Sequence, residues 1–186
     1  MRMRCVVFLG LSLCLGGCAN PSGGGRPVPY EREEPHSFQN FVANWDSDVS
    51  WAFLAVVRTP EEYDRVFHPA GVMGVKRPYH PPESFFRGSQ MLVVCRTARD
   101  HYDLMLAVED VREKGDELTL SYRYSGPAEL SSGFKNTLTV YVPKKDYAKV
   151  RFVENGKELK TLDLRAGQWA VPPAHPSWRE QMKQGR

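Results

Sequence analysis

Lys114-Gly115-Asp116-Glu117-Leu118-Thr119-Leu120-Ser121-Tyr122-Arg123-Tyr124-Ser125 is the stretch whose pattern decides the fold. Leu118, Leu120, Tyr122 and Tyr124 alternate with polar residues, which is the period of a strand with one buried face and one wet face. Lys114-Gly115-Asp116 is a turn, so the residues before it, Tyr102 to Arg112, form the preceding strand. Downstream, Leu138, Val140 and Val142 alternate in the same way. Val150 to Glu154 and Lys157 to Leu164 flank Asn155-Gly156, a dipeptide that favours the two-residue hairpin turn because both positions accept positive φ.

Upstream, Gln90 to Thr97 is a further strand, and Val49 to Val57 is a nearly continuous apolar run suited to a buried one. Between them, Thr59-Pro60-Glu61-Glu62 has the marks of a helix start. Thr59 can cap, Pro60 suits the first helical position, and Glu62 completes a capping box. Tyr63, Val66 and Phe67 then share one face of a helix of about two turns, which His68-Pro69 ends. Ala70 to Ser89 is a long Gly/Pro-rich connection with a turn expected at Glu83 to Phe86, and Gly126 to Lys135 is a loop. The expected fold is mainly β: an antiparallel β-sandwich or open barrel of about seven strands with one short α-helix.

The first twenty residues, MRMRCVVFLGLSLCLGGCAN, have a different logic. Arg2 and Arg4 form a basic start, and Cys5 to Leu15 is an apolar run too short to span a bilayer as a stable helix. Leu15-Gly16-Gly17-Cys18 resembles a lipobox, the recognition site of the lipoprotein signal peptidase. That resemblance implies cleavage after Gly17 and a diacylglycerol on the Cys18 sulfur. The alternative is an ordinary secretory signal that happens to contain cysteine. Two or three acyl chains would anchor the chain stably, at about 0.8 kcal/mol per buried CH₂. Ala19 lies where Gram-negative sorting reads its inner-membrane signal, so the expected location is the cell envelope, on the outer membrane facing the periplasm in a Gram-negative cell.

The expected organisation is therefore a signal peptide at 1–17, a lipidated N-terminus and flexible tether at 18–36, one β-rich domain at 37–164, and an irregular tail at 165–186. The tether is rich in Gly, Pro and charge. The tail holds Pro172, Pro173 and Pro176. Without Arg2 and Arg4, 23 Lys+Arg face 22 Asp+Glu, a net charge of +1. Such a balance gives no reason to expect a nucleic-acid partner. Of four cysteines, Cys5 and Cys14 leave with the signal and Cys18 takes lipid, so Cys95 stands alone and no intramolecular disulfide is expected.

From Thr59 to Leu164 the order of elements resembles the PrcB-type domain of bacterial lipoproteins, a β-sandwich compared with chagasin-like protease inhibitors. The resemblance rests on the helix start with Tyr63 and Phe67, the strand Met91-Leu92-Val93-Val94, the meander with Tyr141-Val142-Pro143-Lys144, and the Asn155-Gly156 hairpin. It implies a protein-binding role, with a protease among the possible partners. The Gly-Gly-aromatic loop of that family is replaced here by Ala98-Arg99-Asp100-His101-Tyr102.

A search for catalytic chemistry finds none that is expected to work. The histidines at 36, 68, 80, 101 and 175 lack zinc-site spacing, and there is no Cys-x-x-Cys. No metal and no cofactor are expected. Cys95 and His101 invite a nucleophile reading, but Cys95 shares a strand face with Met91 and Val93 and is expected in the core. No P-loop, Gly-x-Ser-x-Gly or Gly-x-Gly-x-x-Gly occurs. Glu109 and Asp110 are neighbours on a strand and are expected to point to opposite faces.

Long ordered connections in compact domains are often functional, and the stretch from Gly71 to Pro82 mixes apolar, aromatic and basic side chains. Met73, Lys76, Arg77, Tyr79 and His80 are the candidate partner-binding residues; the alternative is that the segment only covers a sheet edge. If the strands alternate in direction, this connection emerges beside the Lys114-Gly115-Asp116 and Lys144-Lys145-Asp146 turns, giving that end a basic rim. The expected function is thus that of a membrane-tethered envelope lipoprotein, not an enzyme, that binds a protein partner as an assembly or regulatory module. The alternative is a small periplasmic enzyme with an unrecognised active site.

Overall fold

A computed structural model describes residues 24–32, 50, 52–67, 80–98, 106–126 and 134–172. The strands are β1 (Arg26–Pro27), β2 (Glu31–Arg32), β3 (Ala52–Val57), β4 (Ser89–Ala98), β5 (Leu106–Lys114), β6 (Glu117–Tyr124), β7 (Phe134–Pro143), β8 (Lys149–Glu154), β9 (Lys157–Asp163) and β10 (Ala170–Val171). Two short helices, α1 (Pro60–Val66) and α2 (Phe85–Gly88), lie between β3 and β4. The strands make two five-stranded sheets, one ordered β1-β5-β6-β8-β9 and the other β10-β3-β4-β7-β2. Neither closes into a barrel, so the fold is a sandwich.

The alternation in β6 is as expected. Leu118, Leu120, Tyr122 and Tyr124 face the interior, where they meet Leu92, Val94, Leu138 and Val140 of the second sheet, with Val150, Phe152 and Leu162 alongside. The Asn155-Gly156 turn has φ of 52° and 77°, the left-handed pair that a two-residue hairpin requires. Asn155 reinforces it by accepting from the Tyr124 N–H (3.0 Å) and donating to the Tyr124 carbonyl (2.9 Å). The second sheet also buries its outer face. Phe53, Ala55, Val57, Met91, Val93 and Cys95 pack there against Tyr63, Val66 and Phe67 of the α1 region and Phe86 of α2. Each large side chain so covered is worth about 1.5–3 kcal/mol, enough to hold a helix too short to form alone.

Several features differ from expectation. β6 and β8 pair in parallel, because β7 crosses to the second sheet before the chain returns. A register shift between Val108 and Asp110 inserts Glu109 as an extra residue in β5. Before it Leu106 and Val108 face inward; after it Val111 and Glu113 do. Simple alternation of Glu109 and Asp110 therefore does not hold.

The expected tether also gives residues 24–32 to the domain. Arg26 and Pro27 pair with β5, Val28 is buried and donates its N–H to the Val111 carbonyl (2.9 Å), and Glu31 and Arg32 pair with β7. This strap runs from the edge of one sheet to the edge of the other. The expected irregular tail likewise supplies β10, whose Ala170 and Val171 pair with Ala55 and Leu54 of β3. A second helix, α2, includes Phe85 and Phe86 of the expected turn.

Candidate functional site

Sequence dictates the local structure that starts the site. Thr59 accepts the Glu62 N–H at 3.1 Å, with Pro60 at the first helical position. The Glu62 carboxylate reaches Arg58 rather than Thr59, accepting from its backbone N–H (2.6 Å) and guanidinium (2.8 Å). So fixed, α1 sets Tyr63 on the outer face of the second sheet. A row of rings runs from there. His80 lies 5.0 Å from Tyr63, Tyr63 6.4 Å from Phe86, Phe86 5.1 Å from Phe85, and Phe85 5.0 Å from Tyr141 of β7.

The row ends in a surface crevice of about 290 Å³ lined by Pro29, Tyr30, Phe85, Tyr141 and Pro143, with Glu31 and Ser89 at its polar margin. Tyr30, on the strap, is 42% exposed, the one large exposed hydrophobic residue among the described residues. Tyrosine and proline present rigid apolar surface at little entropic cost, with the phenol as a polar tip. A cleft this small fits one or two side chains of a partner. Its lining holds one carboxylate, Glu31, and no histidine, cysteine or lysine.

Of the expected site residues, Cys18, Met73, Lys76, Arg77 and Tyr79 lie outside the described residues. His80 is described, and its side chain is only 11% exposed. It lies tilted against the Tyr63 ring and bonds Asp64 of α1 at 3.0 Å, contacts that anchor the end of the connection. The described part of that connection does reach the expected end: the Lys144 N–H donates to the Gly88 carbonyl, and the Ala148 N–H to that of Asp116. The basic rim is largely engaged within the fold. Lys144 Nζ donates to the carbonyls of Phe86 (2.6 Å) and Arg58 (3.2 Å), and Lys145 pairs with Glu113 (2.8 Å). Cys95 is fully buried beside Met91 and Val93, with the Thr137 hydroxyl 3.5 Å from its sulfur.

Two polar clusters close the ends of the sandwich. At one, Glu113 gathers Lys145, Arg26 and the Tyr147 hydroxyl, which together hold its carboxyl down at about pKa 2. Burial, reinforced by the Glu113 carboxylate, pushes the Tyr147 phenol up. At the other end, Arg96 of β4 crosses between the sheets to Glu154 of β8, with both carboxylate oxygens 2.8 Å from one guanidinium nitrogen. Arg96 also lies 4.1 Å over the Tyr124 ring. Burial, with Glu154 nearby, raises the Tyr122 phenol. These groups fasten the strap and the sheets to each other.

The outer face of the first sheet is different again. It bears a polar trough of about 630 Å³ that runs from Gly24 and Gly25 past Arg112, Thr119, Ser121 and Arg151 to Glu158. Among the described residues, no three His, Cys, Asp or Glu side chains converge as metal ligands do.

No family model, curated protein or solved structure matches this chain. The PrcB-type resemblance therefore rests on the order of elements and the residues quoted above. The sequence pattern did not mark Tyr30, Phe85 or Tyr141 as site residues. A signal for Tyr141 existed, since it is the aromatic residue at an outward position in the Leu138, Val140, Val142 alternation.

Proposed function

We propose that this chain is a lipid-anchored protein of the cell envelope, facing the periplasm from the outer membrane in a Gram-negative cell, whose sandwich binds another envelope protein as an assembly or regulatory module. The PrcB-type likeness makes an envelope protease one class of partner. The observation that carries the binding reading is the aromatic crevice at Tyr30, Phe85 and Tyr141. Aromatic anchors flanked by polar groups are the composition of protein-binding surfaces. The crevice also adjoins α2, at the described end of the connection that holds Met73 to His80.

The test is site-specific photo-crosslinking in intact cells, with the reactive side chain at position 30 or at position 157 in the far hairpin. One discrete protein adduct from position 30, absent from position 157, is the expected result. Adducts of equal yield from both positions, or none from position 30, would overturn the assignment. Lipid attachment is tested separately: Cys18→Ala should leave unprocessed precursor, and a mature amino terminus elsewhere, free of acyl mass, would remove that part of the reading.

A further inference from the structure

We propose that a short tether lays the outer face of the first sheet against the phospholipid headgroups of the membrane that holds the Cys18 lipid. This rests on the lipoprotein reading above and adds an orientation to it.

The strap sets the length of the tether. Gly25 is locked in place: its carbonyl accepts from Arg112 (3.1 Å), and a Cβ there would sit 2.8 Å from the Glu113 carbonyl oxygen. Next to it, Arg26 is held by the Glu113 carboxylate and by pairing with β5. Only seven residue steps separate Gly25 from Cys18. Fully extended they reach about 25 Å. A domain of this size has a radius of gyration of about 15 Å, so a path half-way round its surface is roughly 60 Å long. The tether cannot reach round the molecule, and the side where it leaves must stay near the bilayer.

That side is the trough. Gly24 and Gly25 form its rim, so the tether leaves directly over the outer face of the first sheet. The small side chains of Thr119 and Ser121 leave its floor low, and among the described residues no apolar cluster forms there as it does on the outer face of the second sheet. Its charges are mixed: Arg112, Lys114 and Arg151 stand among Asp116, Glu117 and Glu158, with Arg151 2.7 Å from Glu117. Paired charges of both signs complement a zwitterionic headgroup, with guanidinium facing phosphate and carboxylate facing ammonium. A strongly anionic surface would call for a basic face, which this is not. The helices cover the second sheet, about 20 Å further out given one sheet-to-sheet and one helix layer. The aromatic crevice, on that second sheet, is then left open to a periplasmic partner.

The experiment uses the full lipidated chain in phosphatidylethanolamine-rich vesicles doped with a headgroup-attached fluorescence quencher. A fluorophore is placed at Ser121→Cys in the trough or at Glu61→Cys on α1, each in a Cys95→Ala background. The expected result is loss of fluorescence at position 121 and retention at position 61. Inserting about 20 Gly/Ser residues after Asn20, with a contour of about 70 Å, should equalise the two. Acylated protein with equal quenching in the native tether overturns the orientation alone, and a difference that survives lengthening overturns the short tether as its cause. Absence of acyl mass on the vesicle-bound protein overturns the lipoprotein reading and this inference with it.

Discussion

Replacing Arg96 by Met should destabilise the domain by about 3 kcal/mol. The Arg96 side chain is 3% exposed and that of Glu154 13%, and one guanidinium nitrogen lies 2.8 Å from both carboxylate oxygens. Methionine has nearly the apolar length of arginine, so the main loss is the charge, not the packing. Breaking a buried pair from one side costs about 3–5 kcal/mol, because the remaining charge is left in a poor solvent. Glu154 keeps some access to water, which places the value at the low end. The contact over Tyr124 at 4.1 Å, about 0.5–1 kcal/mol, is part of that loss. For a domain of this size, 3 kcal/mol corresponds to a fall in Tm of roughly 10 °C. Urea denaturation of Arg96→Met, Glu154→Leu and the double variant completes a thermodynamic cycle. The double variant should be closer to the wild type than the sum of the singles, since an apolar pair leaves no stranded charge. If the two singles add, or Arg96→Met alone costs less than about 1 kcal/mol, the pair is not a working link between the sheets.

Glu113 should make stability depend on acid. Its carboxyl titrates near 4.5 when unfolded and about 2 when folded, so its contribution is complete above pH 4.5 and is lost as pH falls toward 2. Denaturation midpoints across that window should fall less steeply in Glu113→Gln, and identical slopes would show that the cluster does not hold the strap. Cys95 should react slowly with a thiol reagent in the native protein and fast once unfolded; equal rates would place it outside the covered face. Gly156→Ala should cost about 1–2 kcal/mol at a φ of 77°, with no change in the crosslinking pattern at Tyr30, and a neutral effect on melting would mean that the turn is not formed.

The long strands were legible because each carries its own pattern. Four alternating residues in β6, the six buried positions of β3 and the Asn155-Gly156 turn need no distant partner to be recognised. The strap and β10 were not, because a two-residue strand is too short for a period, and Val28 is an isolated apolar residue in a Gly/Pro-rich stretch. The bulge in β5 left a trace, since its inward residues run 106, 108, 111, a slip of one in the phase. Arg96 and Glu154 are 58 positions apart, and the parallel pairing of β6 with β8 that aligns Tyr122 with Glu154 has no local signature. The crevice was hidden for the same reason: Tyr30, Phe85 and Tyr141 come from three separate elements, one of them in the segment expected to be tether.

The sheet edges bear on the proposed mode of binding. An exposed strand edge offers unpaired backbone groups, and many proteins capture peptides by adding a strand there. Among the described strands, three of the four edges here are two-residue strands, β1, β2 and β10, which pair with only part of β5, β7 and β3. The fourth, β9, carries exposed Lys157, Glu158 and Lys160, and charge on an edge strand opposes further pairing. On the proposed reading a partner is held through side chains in the cleft, a mode distinct from strand addition along the parts of β3, β5 and β7 that these short strands leave unpaired. The strap that supplies the β1 and β2 edges also carries Tyr30 into the crevice, and, on the proposed lipoprotein reading, its Gly25 and Arg26 set how far the domain can stand from the lipid. Loosening the strap would unpair parts of two sheet edges and dismantle the crevice wall together, so stability, the proposed binding and the proposed membrane orientation all depend on one stretch of nine residues, 24–32.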